Sequence, residues 1–165
     1  MNILAIDPAA RCGFAHSNGQ HGVWELGTDN WQLQALDWKI TQAIRDWGCN
    51  VIAYEAATFG SRHAHVMRLH NEKAGVIQLV ASREKVPCWC YPPTQWKAIA
   101  LGKGNLDKQG VIRMVELIYG IKVNDPDVAD SIGILMAAQR GPPPESKRKQ
   151  QRAAEKRLMK RAKLF

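Results

Sequence analysis

The sequence predicts an α/β fold, a mixed five-stranded sheet flanked by helices and followed by a basic C-terminal tail. Three observations carry that expectation. Short apolar runs separated by turn residues open the chain. A stretch with helical period follows them. From there, strand-like and helix-like runs alternate, an order that fits several α/β folds.

The run "NILAID" (2–7) is apolar up to its final acid and is stopped by Pro8, so it reads as a buried strand. "GFAHS" and "HGVWEL" lie either side of the turn-like "NGQ" and predict an antiparallel meander with it. In "NWQLQALDWKITQAIRDWG" (30–48) the period changes. Leu33, Leu36, Ile40, Ile44 and Trp47 step by three or four, which predicts an amphipathic helix closed by Gly48. "NVIAYEA" (50–56) is a second buried strand that ends in an acid, Glu55.

A helix pattern runs from about His65 to Arg83, and "KVPCWCY" supplies another strand. Two helix patterns follow, around 93–100 and 107–119, with "GKGN" between them. Asp107 suits the cap of the second, whose inner face would carry Val111, Met114, Val115 and Ile118. The last body helix starts at Pro126, a residue favoured at the first helical position. "GPPPES" (141–146) cannot continue that helix and reads as a hinge. The expected organisation is one domain over 1–140, then a Pro hinge and basic tail over 141–165, disordered alone or helical on a partner.

Charge distribution narrows the function. Residues 1–139 hold 13 Lys/Arg and 13 Asp/Glu, whereas residues 140–165 hold 10 Lys/Arg against Glu145 and Glu155 alone. The whole +8 excess therefore sits in the last 26 residues, Arg140 and the tail, which points to a polyanion such as nucleic acid. No apolar run approaches a membrane span, so no membrane partner is expected. "MNILAIDP" lacks a basic n-region and reaches an aspartate too early for a signal peptide. A cytoplasmic protein, of a bacterium or a phage-infected host cell, is the expectation, with Cys12, Cys49, Cys88 and Cys90 reduced and mostly in the core. "CWC" is too short for a CxxC pair and has no second pair to complete a zinc site.

The chemistry-bearing candidates are acids. Asp7 and Glu55 each end an apolar run expected at the sheet centre, where a charge is costly unless paired or bound to metal. A polar strand exit would explain either one alone; two on neighbouring central strands would come close together. "NDPDVADSIGILMAAQ" (124–139) adds three more. Asp125 falls at the helix cap, and accepting backbone N–H bonds explains it fully. Asp127 and Asp130 are three apart and project from one face, and Asp130 interrupts the apolar stripe of Ile134 and Ala137. Four carboxylates from two strands and a helix would repel unless a cation held them, and hard oxygen ligands suit Mg²⁺ or Mn²⁺.

"ILAIDPAARCGFA", "VIAYEAATFG" and "DVADSIGILMA", in this order and spacing, resemble the RuvC-type Holliday junction resolvases of the retroviral-integrase/RNase H-like superfamily. That family's pattern is a strand ending Asp-Pro-Gly, a strand ending in Glu, and a last helix opening Asp-x-x-Asp. The resemblance spans roughly residues 1–139 and implies an RNase H-like fold. Asp7, Glu55, Asp127 and Asp130 match the family's metal-binding, catalytic acids, and Asp125 matches nothing. "NEKAGVIQLVA" (71–81) resembles the family's Gly-containing helix at the dimer interface, and "PPTQWKAIALGKGNLDKQGV" (92–111) its substrate-facing segment. Lys97 and Lys108 fall where the family places basic residues for DNA and catalysis. Phe59 lies near a family aromatic that stacks on a base. Lys103, Arg148, Lys149 and Arg152 join them as candidate DNA-binding residues. One departure is Asp7-Pro8-Ala9 in place of Asp-Pro-Gly, which suits a phage-type or divergent member.

The resemblance implies an endodeoxyribonuclease that resolves four-way junctions with two Mg²⁺ per active site, Mn²⁺ substituting, and leaves a 5′-phosphate and a 3′-hydroxyl. Symmetric cutting implies a homodimer bound to branched DNA. The alternatives are an RNase H-like nuclease of broader branched-DNA or RNA–DNA hybrid specificity, and a non-catalytic junction-binding protein.

Overall fold

A computed structural model of the chain describes residues 1–9, 11–27, 31–57 and 64–145. The opening meander is formed by β1 (Ile3–Asp7), β2 (Cys12–His16) and β3 (His21–Trp24), antiparallel neighbours in that order. After helix α1 (Gln32–Trp47), β4 (Val51–Glu55) returns beside β1 in parallel. Helix α2 (Ala64–Arg83) then leads to β5 (Cys88–Tyr91), parallel to β4. The sheet order is β3-β2-β1-β4-β5, with β1 central. Three helices complete the chain: α3 (Pro93–Leu101), α4 (Lys108–Tyr119) and α5 (Pro126–Gln139).

Strand alternation divides the core. Ile3 and Ala5 of β1 and Val51 and Ala53 of β4 face a layer made by α3, α4 and α5. Leu4, Ile6, Ile52 and Tyr54 face α1 and α2. Both faces are therefore covered, which is why these runs are apolar throughout rather than alternating. The same period of two carries Asp7 and Glu55 onto the α5 face. Ile6 pairs with Tyr54 in the β1–β4 register, so the next residues, Asp7 and Glu55, leave the sheet side by side at one end.

Helix α5 lies on the centre of that face, with 11 of its 14 residues buried. Its start is over-determined: Asp125 Oδ1 accepts from the Asp127 and Val128 amides at 2.9 and 3.4 Å, and Pro126 follows. Asp125 also binds Arg11 Nη1 at 2.7 Å, tying the helix entrance to the turn after β1. Asp107 caps α4 through the Gly110 amide at 2.7 Å. One expectation for that helix fails. Val111 and Val115 are buried, but Ile118 is 43% exposed, because the inward place in the last turn of α4 is taken by Tyr119, which packs on the core and donates to the Ala100 carbonyl at 2.6 Å.

All four cysteines are unbridged; Cys12 and Cys49 are buried, whereas Cys90 stands exposed on the edge strand β5 rather than in the core. Among the described residues no helix is long and apolar enough to cross a membrane. The Gly-Pro stretch after α5 runs back along α3. Arg140 donates to the Ile99 carbonyl, the Tyr91 hydroxyl donates to the Gly141 carbonyl, and Gln95 Nε2 donates to the Pro144 carbonyl at 3.3 Å. The basic segment from residue 146 lies outside the described residues.

Candidate active site

Asp7 ends the central strand and is 4% exposed, and Glu55 ends its parallel neighbour and is half-buried. Asp127 and Asp130, on the first turns of α5, are 8% and 9% exposed and face the same sheet end. Asp7, Glu55 and Asp130 line one cleft of about 210 Å³, closed opposite by Val66, Leu69 and His70 of α2.

Backbone proximity is what brings α5 to the strands. Gly13, the β2 partner of Asp7, has the Asp127 carbonyl against its Cα. A Cβ there would sit closer than 3.0 Å to that oxygen, so only glycine lets the helix entrance reach the sheet. Farther along α5, Gly133 receives the Trp96 ring in the same way. That packing aims the indole, and Trp96 Nε1 donates to Glu55 Oε2 at 2.6 Å. His70 Nε2 lies 3.0 Å from the Glu55 carbonyl oxygen, so both ends of this residue are held.

Burial and like charge act together on these acids. Burial is the main cause that lifts the Asp7 carboxyl well above the usual range, and Glu55, Asp130 and Asp127 add to it. Glu55 is pushed up to about 7, again chiefly by burial, although the Trp96 hydrogen bond and two lysines pull the other way. Asp130 rises to about 6 by burial, against the fields of Lys97 and Lys108. Its Oδ1 is buried with no hydrogen-bond partner.

Lys108 donates to Asp127 Oδ1 at 3.3 Å from a largely exposed position at the cleft edge. Lys97 donates to the Leu106 carbonyl at 2.9 Å and stands 5.4 Å from the Trp96 ring centroid, so its amine is spent on the α3–α4 link while its field reaches Glu55 and Asp130. Lys103 is exposed on that link, with no contact to the acids described. Phe59, Arg148, Lys149 and Arg152 lie outside the described residues.

Among the described residues no three carboxylate, His or Cys side chains are already gathered as a ready ion cage. The donor set nevertheless fits a hard divalent cation: it consists of carboxylate oxygens from three elements, and one of them, Asp130 Oδ1, is buried and unsatisfied. Glu55 accepts from Trp96 and Asp127 accepts from Lys108.

Sequence reasoning passed over Gly13, Trp96, His70 and Lys73. An isolated glycine inside the strand pattern "RCGFA" was the one available signal of close backbone approach.

Comparison with known proteins gives the family and the fold. The sequence model of the family "Crossover junction endodeoxyribonuclease RuvC" matches residues 3–138. The crossover junction endodeoxyribonuclease RuvC of Brachyspira hyodysenteriae is 26% identical over 149 residues, covering 83% of this chain and 92% of that one. Its counterpart in Prochlorococcus marinus is 29% identical over 150 residues, covering 82% and 96%. Among solved structures, Thermus thermophilus RuvC in complex with Holliday junction substrate superposes with a TM-score of 0.69 at 19% identity, over 84% of this chain and 93% of that one. A yeast mitochondrial Holliday junction resolvase gives 0.56 at 17% identity, over 84% and 77%. With the family match running from the first strand through the last helix, this chain belongs to the RuvC family of crossover junction endodeoxyribonucleases.

Proposed function

We propose that the chain resolves four-way DNA junctions as a homodimer, by hydrolysis of one phosphodiester per active site, with Asp7, Glu55, Asp127 and Asp130 holding two Mg²⁺ ions. The single observation that carries this reading is the convergence of Asp7, Glu55 and Asp130 on one cleft, buried and mutually repelling. A fold gains no stability from such a cluster, so its use lies in binding a cation. Divalent cations there would lower the pKa of the attacking water and neutralise the leaving oxygen.

The protein's part is orientation and charge. Trp96 fixes the Glu55 carboxylate and the Asp125 cap fixes the helix that carries Asp127 and Asp130. Lys108 stands where a phosphate oxygen could replace Asp127 as its partner. Water adds to phosphorus as the P–O3′ bond breaks, which leaves a 5′-phosphate and a 3′-hydroxyl. A two-fold dimer places one such site on each of two opposed strands. Mn²⁺ shares the oxygen preference and should substitute.

The test is a cleavage assay. Asp7→Asn protein is expected to bind a synthetic junction normally and leave it uncut in Mg²⁺; retained cutting refutes the site. Running junction, Y-form, duplex and RNA–DNA hybrid side by side tests the substrate, and equal cutting of all four would favour a broader nuclease. The tail beyond residue 145 supplies phosphate contacts in this reading. Removing residues 146–165 should weaken junction binding and flatten its salt dependence, and an unchanged slope excludes that role.

A further inference from the structure

Among the described residues Lys73 is the one buried lysine or arginine, at 1% exposure, and the chemistry proposed above does not use it. Lysine is almost never fully buried unless paired, since an unpaired ammonium in an apolar interior costs several kcal/mol. Methionine would fill the same space on α2 without that cost. Something at this position therefore favours a charge.

The side chain reaches from α2 across the end of the sheet, and its Nζ donates to the Ala9 carbonyl at 2.5 Å. Ala9 follows Asp7 and Pro8, and all three residues line the cleft with Glu55 and Asp130. Lys73 thus ties this turn to α2, on the opposite layer of the molecule.

We propose that Lys73 is a fixed counter-charge for the carboxylate cluster and a positioning residue for the turn that carries Asp7. It sits on the inner side of the acids, whereas Lys108 approaches them from the solvent side. Burial lowers the Lys73 amine, while the nearby Cys12, Asp7 and Asp127 act in the other direction. The interior position gives it a different task from the phosphate-binding lysines, because DNA cannot reach it. The inference rests on the acids forming one functional cluster, but its decisive test requires no bound metal.

That test is a double-mutant cycle in thermal unfolding at pH 8 with EDTA. Lys73→Gln keeps a donor for the Ala9 carbonyl and removes the charge; Lys73→Met removes both. In the wild-type background each should lower Tm. In the Asp7→Asn background the same substitutions should cost at most half as much, because the nearest strand-end carboxylate they leave uncompensated is gone. Equal losses in both backgrounds overturn the counter-charge. If the single variants do not fold, folding of the Lys73→Gln/Asp7→Asn double variant supports the inference, and its failure to fold counts against it. For the positioning role, Lys73→Gln should lower kcat on a junction about tenfold or more with KM unchanged. A rise in KM alone would make Lys73 a binding residue and refute positioning. Wild-type protein whose Tm ignores added Mg²⁺ would instead sink the cation-binding reading, independently of how the cycle falls.

Discussion

The two faces of the sheet are built to different tolerances. On the α3–α4–α5 face, two glycines admit a neighbouring carbonyl and an indole where no Cβ would fit, and α5 is buried along most of its length. On the α1–α2 face, Gly75 has nothing within 4 Å of the place a Cβ would occupy, and Leu79, Trp38 and Val66 are 61%, 56% and 51% exposed. The three elements that carry the four acids, β1, β4 and α5, meet on the first face. The second contributes the far wall of the cleft, with Val66, Leu69 and His70, and the buried Lys73. Close packing is concentrated where a shift of about 1 Å would misplace reacting groups.

The comparison breaks first at Gly13. Gly13→Ala should part β2 from α5, lower stability by about 1–3 kcal/mol and reduce cleavage at least about 100-fold, read by thermal unfolding and a junction assay. Wild-type cleavage in that variant would mean the helix entrance tolerates displacement. The same substitution in two helices sharpens the contrast. Gly133→Ala drives a methyl into the Trp96 ring and should cost about 1–3 kcal/mol, whereas Gly75→Ala should gain up to about 1 kcal/mol from helix propensity. Unfolding at low protein concentration measures both. A concentration-dependent loss in Gly75→Ala would show that the open space belongs to a second chain.

The smallest effect lies between α1 and α2, where Arg83 grips Asp37 with bonds of 2.9 and 2.6 Å. The Arg83 hydrogen bond holds the Asp37 carboxyl below the usual carboxylate range. A depressed carboxylate stabilises the fold above its unfolded pKa of about 4 and loses that contribution as pH falls through the lower, folded value. Both side chains are about a third or more exposed, so solvent screening keeps the pair's contribution small. Asp37→Asn should lower Tm slightly at pH 7 and have no effect near pH 2; an equal loss at both pH values would assign the role to packing.

Much of the site was legible because its signals are local. An acid closing an apolar run marks a costly charge at a strand end, and Asp7 and Glu55 carry that mark within six residues of sequence each. Asp125 and Pro126 announce a helix start through cap chemistry alone. What stayed hidden depends on partners remote in sequence. Gly13 matters because of the Asp127 carbonyl, and Trp96 because of the Glu55 carboxylate. Lys73 looks like any helical lysine until α2 is laid over the sheet end. Ile118 fits the inner stripe of α4 by period yet stays exposed beside the inward-packed Tyr119, since periodicity does not say which of two neighbours a layer will meet.

Helix α5 closes the chain's described body by packing on its oldest strands, β1 and β2. During synthesis the N-terminal half can pair its meander, but the Gly13 contact and the acids of α5 do not exist until the last helix emerges. The domain therefore completes its non-local contacts in one late step. In the proposed reading a chain truncated before α5 lacks Asp127 and Asp130 and should not cut DNA, and it also loses the element that packs on both β1 and β2.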